Sequence, residues 1–388
     1  MTSRPVYLDY HATTPVDPRV LEAMLPYFSE EFGNPASSQH AYGWKAEEAV
    51  ENARAQVAAL IGASPREIVF TSGATESNNL ALKGCADALR ARGDHIVTVA
   101  TEHKSVLDSC KRLEAQGWRV TRLGVERDGR LDLDALKNAL SGKTVLVSVM
   151  SANNEIGVLQ PMGDIARIVH EAGALLHTDA AQAAGKVPID VNESGVDLLS
   201  LTGHKYYGPK GEGALYVRRQ KPKIQLGCQI DGGGHENGLR SGTLNVPGIV
   251  GLGKAAEICA HEMPDEGPRL ASLRDRLLAG LRANLDGVHV NGSLIHRLPH
   301  NLHVSFDAVD GEGLLMALGD LAVSTGSACS SGSHAPSHVL EAIGAVGASA
   351  GAVVRFGLGR GTTEPHIQFA IDRLTAVVSS LRRSAVAH

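Results

Sequence analysis

From about residue 68 onward, short apolar runs alternate with amphipathic segments, and no other feature restricts the possible folds so strongly. Ile68–Phe70, His95–Ala100, Val120–Leu123, Thr144–Met150, Ala174–His177, Asp197–Leu201 and Gly213–Val217 read as strands. Between several of them lie helical patterns, Glu76–Arg92 before Gly93, Ser105–Gln116 before Gly117 and Asp164–Ala172 before Gly173. Each predicts a helix closed by a glycine in the left-handed conformation. Such alternation specifies an α/β protein, with a mostly parallel seven-stranded sheet covered by helices on both faces.

After about residue 250 the pattern changes. Helical stretches at Gly251–Glu262 and Arg269–Leu285 precede strand-like Asn301–Phe306 and Val353–Leu358, then a helix from Glu364 to Arg383. This reads as a smaller α+β domain. The expected division is 15–255 for the large domain and 1–14 with 256–388 for the small one, and 388 residues suffice to give each a core.

A formal net charge of −5 argues against a general affinity for nucleic acid or anionic membrane. The N-terminus carries no apolar segment of signal-peptide length, and every apolar run is cut by charge, glycine or proline, so the expected location is the cytoplasm. Five scattered cysteines form neither a disulfide framework nor a C-x-x-C pair. Cys85, Cys110 and Cys259 fall in helical patterns and are expected as buried thiols, whereas Cys228 and Cys329 fall in glycine-rich loops.

Five segments carry chemistry. Phe70–Asn78 is a strand, a turn of small residues and a helix start, where backbone N–H groups and Thr75 could hold an anion; alone, a plain connection capped by Ser72 or Thr75 is the better reading. In Leu201–Gly211, Lys205 stands at a strand mouth beside Thr202 and His204, which suits Schiff-base formation with a carbonyl cofactor, while Lys210 reads as a solvated turn residue. Asp179 follows an apolar strand; it serves equally as a helix cap or as a carboxylate holding a pyridinium nitrogen protonated. His103, again at a strand end, could stack on a planar cofactor or shuttle a proton, although a lone loop histidine is more often a surface residue. Cys329 lies among small residues in Ser324–Ser333, a setting that predicts an accessible, mobile thiol. His103, His204 and His235 show no helical ligand spacing, so no metal is expected.

Together these segments resemble the cysteine desulfurases of the NifS/IscS type, in the class V aminotransferase group with the fold type I of pyridoxal-phosphate (PLP) enzymes. The resemblance runs over nearly the whole chain. It includes Tyr7–Tyr10, Gly33–Pro35, Ser72–Asn79, Thr101–Ser105, Asn153–Gly157, Asp179–Gln182, Gly203–Gly211, Gly232–Asn245, Gly326–Ser331 and Arg355–Arg360. It implies that Lys205 binds the cofactor covalently and moves protons, that Asp179 pairs with the pyridinium nitrogen and Gln182 with the phenolic oxygen, and that His103 stacks on the ring and acts in acid–base steps. Ala74, Thr75, Thr202 and His204 would hold the phosphate, joined by Thr243 from the partner subunit of a homodimer. Asn34, Asn154 and Arg355 would receive the substrate, Asn154 also bordering the cofactor. The implied reaction turns L-cysteine into L-alanine and leaves the sulfur on Cys329 as a persulfide for an acceptor protein serving iron–sulfur clusters, thio-cofactors or tRNA thiolation.

Some positions depart from the family pattern. His235 stands where relatives usually carry Gln, Thr202 replaces Ser but keeps the hydroxyl, and His334-Ala335-Pro336 replaces Leu-Glu-Pro. The sequence ends soon after the last helix, where relatives serving iron–sulfur scaffolds extend further. The alternatives are a selenocysteine lyase or a small-amino-acid aminotransferase of the same fold, and a transaminase would have no use for Cys329. A docking module without catalysis is disfavoured because Lys205, Asp179, His103, Cys329 and Arg355 are all kept.

Overall fold

The computed structural model describes residues 4–219, 223–325, 337–345 and 352–386. The expected nucleophile, Cys329, lies outside the described residues. The chain enters through β1 (Val6–Tyr7) and then builds a seven-stranded sheet from β2 (Ile68–Thr71), β3 (His95–Val99), β4 (Arg119–Leu123), β5 (Thr144–Ser148), β6 (Leu175–Asp179), β7 (Leu198–Thr202) and β8 (Gly213–Val217). The strand order is β2-β8-β7-β6-β5-β3-β4. All neighbours are parallel except β8, which runs antiparallel to both β2 and β7. β2 and β7 therefore point the same way, and the C-terminal ends of β2, β3, β5, β6 and β7 share one edge.

Alternation along each strand sends side chains to two apolar layers. Phe70, Val97, Val147 and Leu199 pack with helices Ala41–Leu60 and Met162–Glu171 on one face, and Val69, Ile96, Leu146 and Leu198 with helices Ala74–Leu89 and Lys104–Glu114 on the other. Burial on both faces explains why these strands read as near-continuous Val/Leu/Ile runs. A separate core gathers Leu8 with leucines of helix Val246–Asn284 and with the strands β9 (Val288–Val290), β10 (Asn301–Phe306), β11 (Leu321–Ala322) and β12 (Ala352–Gly357). There β12-β10-β9 form an antiparallel sheet, and β1 pairs with β11. Helix Glu364–Val386 closes this core.

Two expectations need correction. The helical stretches read at 251–262 and 269–285 are one helix of 39 residues, Val246–Asn284, which contains Pro264 and Pro268. Each proline removes one N–H donor, yet apolar positions on both sides of them are anchored in the two cores, and packing overrides the break. Gly117 and Gly173 have positive φ values of 84° and 75°, as expected, but Gly93 does not. Its hydrogen is demanded by packing instead, because a Cβ there would overlap the carbonyl of Lys143.

Helix Ala41–Leu60 carries a buried guanidinium. Arg54 donates to Glu236 through Nη1 (2.8 Å) and Nη2 (2.9 Å), donates to the carbonyl of Ile68 (3.0 Å) and lies 4.5 Å over the Phe70 ring. Glu236 also accepts the N–H of Phe70 at 2.7 Å, and it sits at φ 50° in the left-handed region that disfavours its side chain. The loop around 236 is thus pinned to β2 by charge rather than by apolar contact. Glu236→Ala leaves Arg54 charged and buried, and is expected to cost about 3–5 kcal/mol in a urea titration of the holoenzyme. A loss below about 1 kcal/mol would mean that water reaches Arg54.

Candidate active site

Five strand ends and one strand of the small sheet converge on a cavity of about 730 Å³. Beyond β2, Gly73 has φ 141°, a glycine conformation, and opens helix Ala74–Leu89. Gly213 of β8 lies against it, since a Cβ there would stand 2.6 Å from the Cα of Gly73. Two glycines thus let the turn lie against the sheet. The first N–H groups of the helix, at Ala74 and Thr75, face a cavity also lined by Thr202 and His204. His204 receives or donates a hydrogen bond at Thr13 Oγ1 (3.1 Å), and burial, with Lys205 and Lys210 nearby, pushes its pKa down to about 4. It is neutral at physiological pH.

Beyond β3, His103 caps helix Lys104–Glu114, accepting the N–H of Ser105 at Nδ1 (3.2 Å). Asn78 donates to Ser105 Oγ at 2.8 Å and to Asp179 Oδ2 at 2.7 Å, and Ser105 Oγ lies 2.8 Å from His103 Nδ1. With Nδ1 accepting a backbone proton, the neutral His103 ring carries its hydrogen on Nε2. A capping preference that ordinarily selects Ser or Asp is met by imidazole, so helix geometry fixes the tautomer. Beside it, burial and the Asp179 carboxylate push the Glu102 carboxyl well above the usual range; Glu102 accepts the N–H of Met150 at 2.5 Å.

Asp179 ends β6. Its Oδ1 accepts the N–H of Ala181 at 2.9 Å and its Oδ2 accepts from Asn78, so the side chain is held at both oxygens. Beyond β7, Lys205 Nζ donates to the carbonyls of Ala12 (2.8 Å) and His11. From β12, Arg355 donates to the carbonyl of Asn154 (2.8 Å) and to Asp9 Oδ1 (3.0 Å), and Ser324 Oγ donates to the same Asp9 oxygen (3.2 Å). Glu155, raised by burial, accepts from Ser337 Oγ at 2.5 Å.

Ala74, Thr75, His103, Asn154, Asp179, Gln182, Thr202, His204, Lys205 and Arg355 all line this one cavity, although up to 281 positions separate them. Asn34 and Thr243 do not line it; both are exposed, and Asn34 Oδ1 accepts the N–H of Ala36. Lys210, read as a solvated turn residue, is exposed and also borders the cavity. Sequence reasoning missed His11, Thr13, Met150, Glu155, Ser337 and His338, which line it too. Glu155 lies within the Asn153–Gly157 motif and His11 directly follows Tyr7–Tyr10, and that placement was the available signal. His235 Nδ1 accepts the N–H of Gly242 at 3.2 Å, so the substituted histidine ties its own loop together. Cys85, Cys110 and Cys259 are buried, as expected, and Cys228 donates to the carbonyl of Ile230 at 3.1 Å.

The model of the family "Aminotransferase class-V" matches residues 6–369. The protein called cysteine desulfurase IscS in Anaeromyxobacter sp. (strain Fw109-5) is 60% identical over 97% of this chain and 93% of its own length. Its namesake in Methylococcus capsulatus is 56% identical over the same shares. A solved structure titled a NifS-like protein superposes with a TM-score of 0.90 at 39% identity, covering 97% of this chain and 100% of that one. The chain belongs to the class-V aminotransferase family. Within that family it is a pyridoxal-phosphate-dependent cysteine desulfurase.

The lining suits that cofactor. The start of helix Ala74–Leu89, with its backbone N–H groups and the Thr75 hydroxyl, would suit a phosphate, the doubly held Asp179 carboxylate would suit a protonated ring nitrogen, and the Lys205 amine would suit an aldehyde. Among the described residues, no helix is long and apolar enough to cross a membrane.

Proposed function

We propose that Cys329 is the nucleophile of this cysteine desulfurase and that the side chains converging on the cavity divide the work as follows. Lys205 would hold the cofactor and would remove, and later return, the proton at the substrate's Cα. Asp179 and Gln182 hold the two polar edges of the ring, and Ala74, Thr75, Thr202 and His204 hold the phosphate. When bound, pyridoxal phosphate supplies an electron sink for the bonds at the amino acid's Cα. His103 offers a proton at Nε2 or removes one there. Arg355 grips the substrate carboxylate in the paired geometry guanidinium favours, assisted by Asn154, whereas Asn34, which stands outside this cavity, would contribute only on moving toward it.

The Cys329 thiolate then attacks the sulfur of cysteine. The carbon–sulfur bond breaks, a sulfur–sulfur bond forms, and the three-carbon fragment leaves as alanine after taking up a proton. The observation that carries this reading is the joining, in one cavity, of Lys205, Asp179 and Arg355 with Ser337, the first described residue after position 336. At the other end of that segment Ser324 pairs with Arg355. One relative, titled SspA, has a structure solved in complex with cysteine.

The enzyme acts on L-cysteine and delivers sulfur to an acceptor protein. We propose further that it works as a homodimer in the cytoplasm. Leu21, Leu25, Phe28, Phe32, Tyr42 and Trp44 are all exposed and flank Asn34 in sequence, a concentration of apolar surface that a second subunit would cover. Thr243 would then reach the phosphate of the partner's site. We propose 15–255, and 1–14 with 256–388, as the two functional bodies of each subunit.

Incubation of the holoenzyme with L-cysteine and a thiol reductant tests the reaction. Equal sulfide and alanine, with no keto acid added, is the expected result. Alanine that appears only with a keto acid would mark an aminotransferase, and sulfide accompanied by pyruvate would mark an eliminating lyase.

A further inference from the structure

A chain of hydrogen bonds links the small sheet to Gln182, and its direction can be read from one end. Arg297 can only donate, and its Nη1 lies 2.6 Å from Asn301 Oδ1. That fixes the Asn301 amide, whose Nδ2 then donates to the carbonyl of Glu155 and to His11 Nε2, both at 3.0 Å. With Nε2 accepting, the neutral His11 ring carries its hydrogen on Nδ1, and Nδ1 donates to Gln182 Oε1 at 2.9 Å. Gln182 Nε2 in turn donates one hydrogen to the His11 carbonyl at 3.1 Å. The amide is clamped in one orientation, and its second N–H is left for whatever occupies the cavity that Gln182 lines. His11, Asn301, Arg297 and Gln182 are all at least nine-tenths buried, so water does not compete for these bonds.

We propose that His11 is a positioning residue for the cofactor: as the Nδ1–H tautomer it locks the Gln182 amide with nitrogen toward the cofactor's phenolic oxygen. The proposal rests on the assignment of Gln182 to that oxygen. Burial, with Arg355, Lys205 and Lys186 facing the ring, holds the His11 pKa well below the ordinary value and keeps the ring neutral. The ring of His300, stacked at 4.4 Å, keeps it in plane. Without this clamp the amide could flip and present its oxygen to another oxygen.

The test reads the pH at which the visible absorption band of the bound cofactor titrates, in substrate-free holoenzyme. A donor to the phenolic oxygen drains the negative charge that retains the neighbouring proton, so its loss raises that pH. Gln182→Ala and His11→Leu should both raise it, by about one to two units, the equivalent of one hydrogen bond to a charged oxygen. His11→Asn, which keeps a donor near the Nδ1 position, should stay near wild type. If Gln182→Ala shifts the titration and His11→Leu does not, the clamp is refuted while the Gln182 assignment survives. If Gln182→Ala itself leaves the titration unmoved, both fall. Nitrogen-15 spectra of histidine-labelled wild-type holoenzyme, with the His11 signal assigned by its loss in His11→Asn, need no folded leucine variant. A protonated Nδ1 and bare Nε2 at His11 support the proposal, and the opposite tautomer overturns it.

Discussion

Lys205→Ala holoenzyme is expected to lose turnover by at least about 10²–10⁴-fold, the span of a positioned acid–base group, and to lose the visible band of lysine-bound pyridoxal phosphate. The Lys205 amine is presented on the far side of β7 against the carbonyls of Ala12 and His11, which accept its protons and keep it aimed into the cavity. Lys205→Arg should be as inactive as Lys205→Ala, because a guanidinium keeps the positive charge but cannot surrender its proton. Lys210, exposed at the cavity rim, is the control, and Lys210→Ala should retain the band. Turnover of Lys205→Ala within tenfold of wild type would remove Lys205 from the mechanism.

Cys329→Ala is expected to abolish alanine and sulfide formation together, a fall on the order of 10⁶-fold if it matches the loss of a nucleophile in other enzymes. Its cofactor spectrum and its spectral response to added cysteine should persist, because the described cavity lining is untouched. The coupling of the two products is the discriminating feature. A transaminase or an eliminating lyase makes its product without this thiol, so either activity would survive the substitution. Cys228→Ala, removing a thiol committed to the carbonyl of Ile230, should leave both products unchanged.

Most strands of the large sheet were legible because they are buried on both faces and carry apolar runs, β5 and β7 being cases in point; the edge strand β4, exposed or half-buried throughout, offered only Val120 and Leu123. Strand order was not, since the antiparallel placement of β8 between β2 and β7 leaves no mark on Gly213–Val217 itself. The long helix was read as two because prolines at 264 and 268 are local signals, whereas the leucines beyond them are held by a core drawn from later strands and the last helix, which a local pattern does not show. Most cavity residues lay in motifs at strand ends, which is where a parallel sheet exposes its ligands. The role of His11, by contrast, was invisible: its partners Gln182 and Asn301 lie 171 and 290 positions away, and a histidine four residues past β1 gives no hint of the tautomer they impose.

Helix Val246–Asn284 also acts as a ruler. Its 39 residues span roughly 58 Å, with one end packed on the large sheet and the other on the core that carries Arg355. Near its middle, Glu262 and Glu266 grip Arg360, five residues beyond Arg355. Adding or deleting one residue in that stretch would turn everything downstream by about 100° and slide it by about 1.5 Å. Arg355 and Lys205 would then no longer line one cavity. A connecting loop absorbs a change in length; this connection does not, so its residue count is part of the active-site geometry.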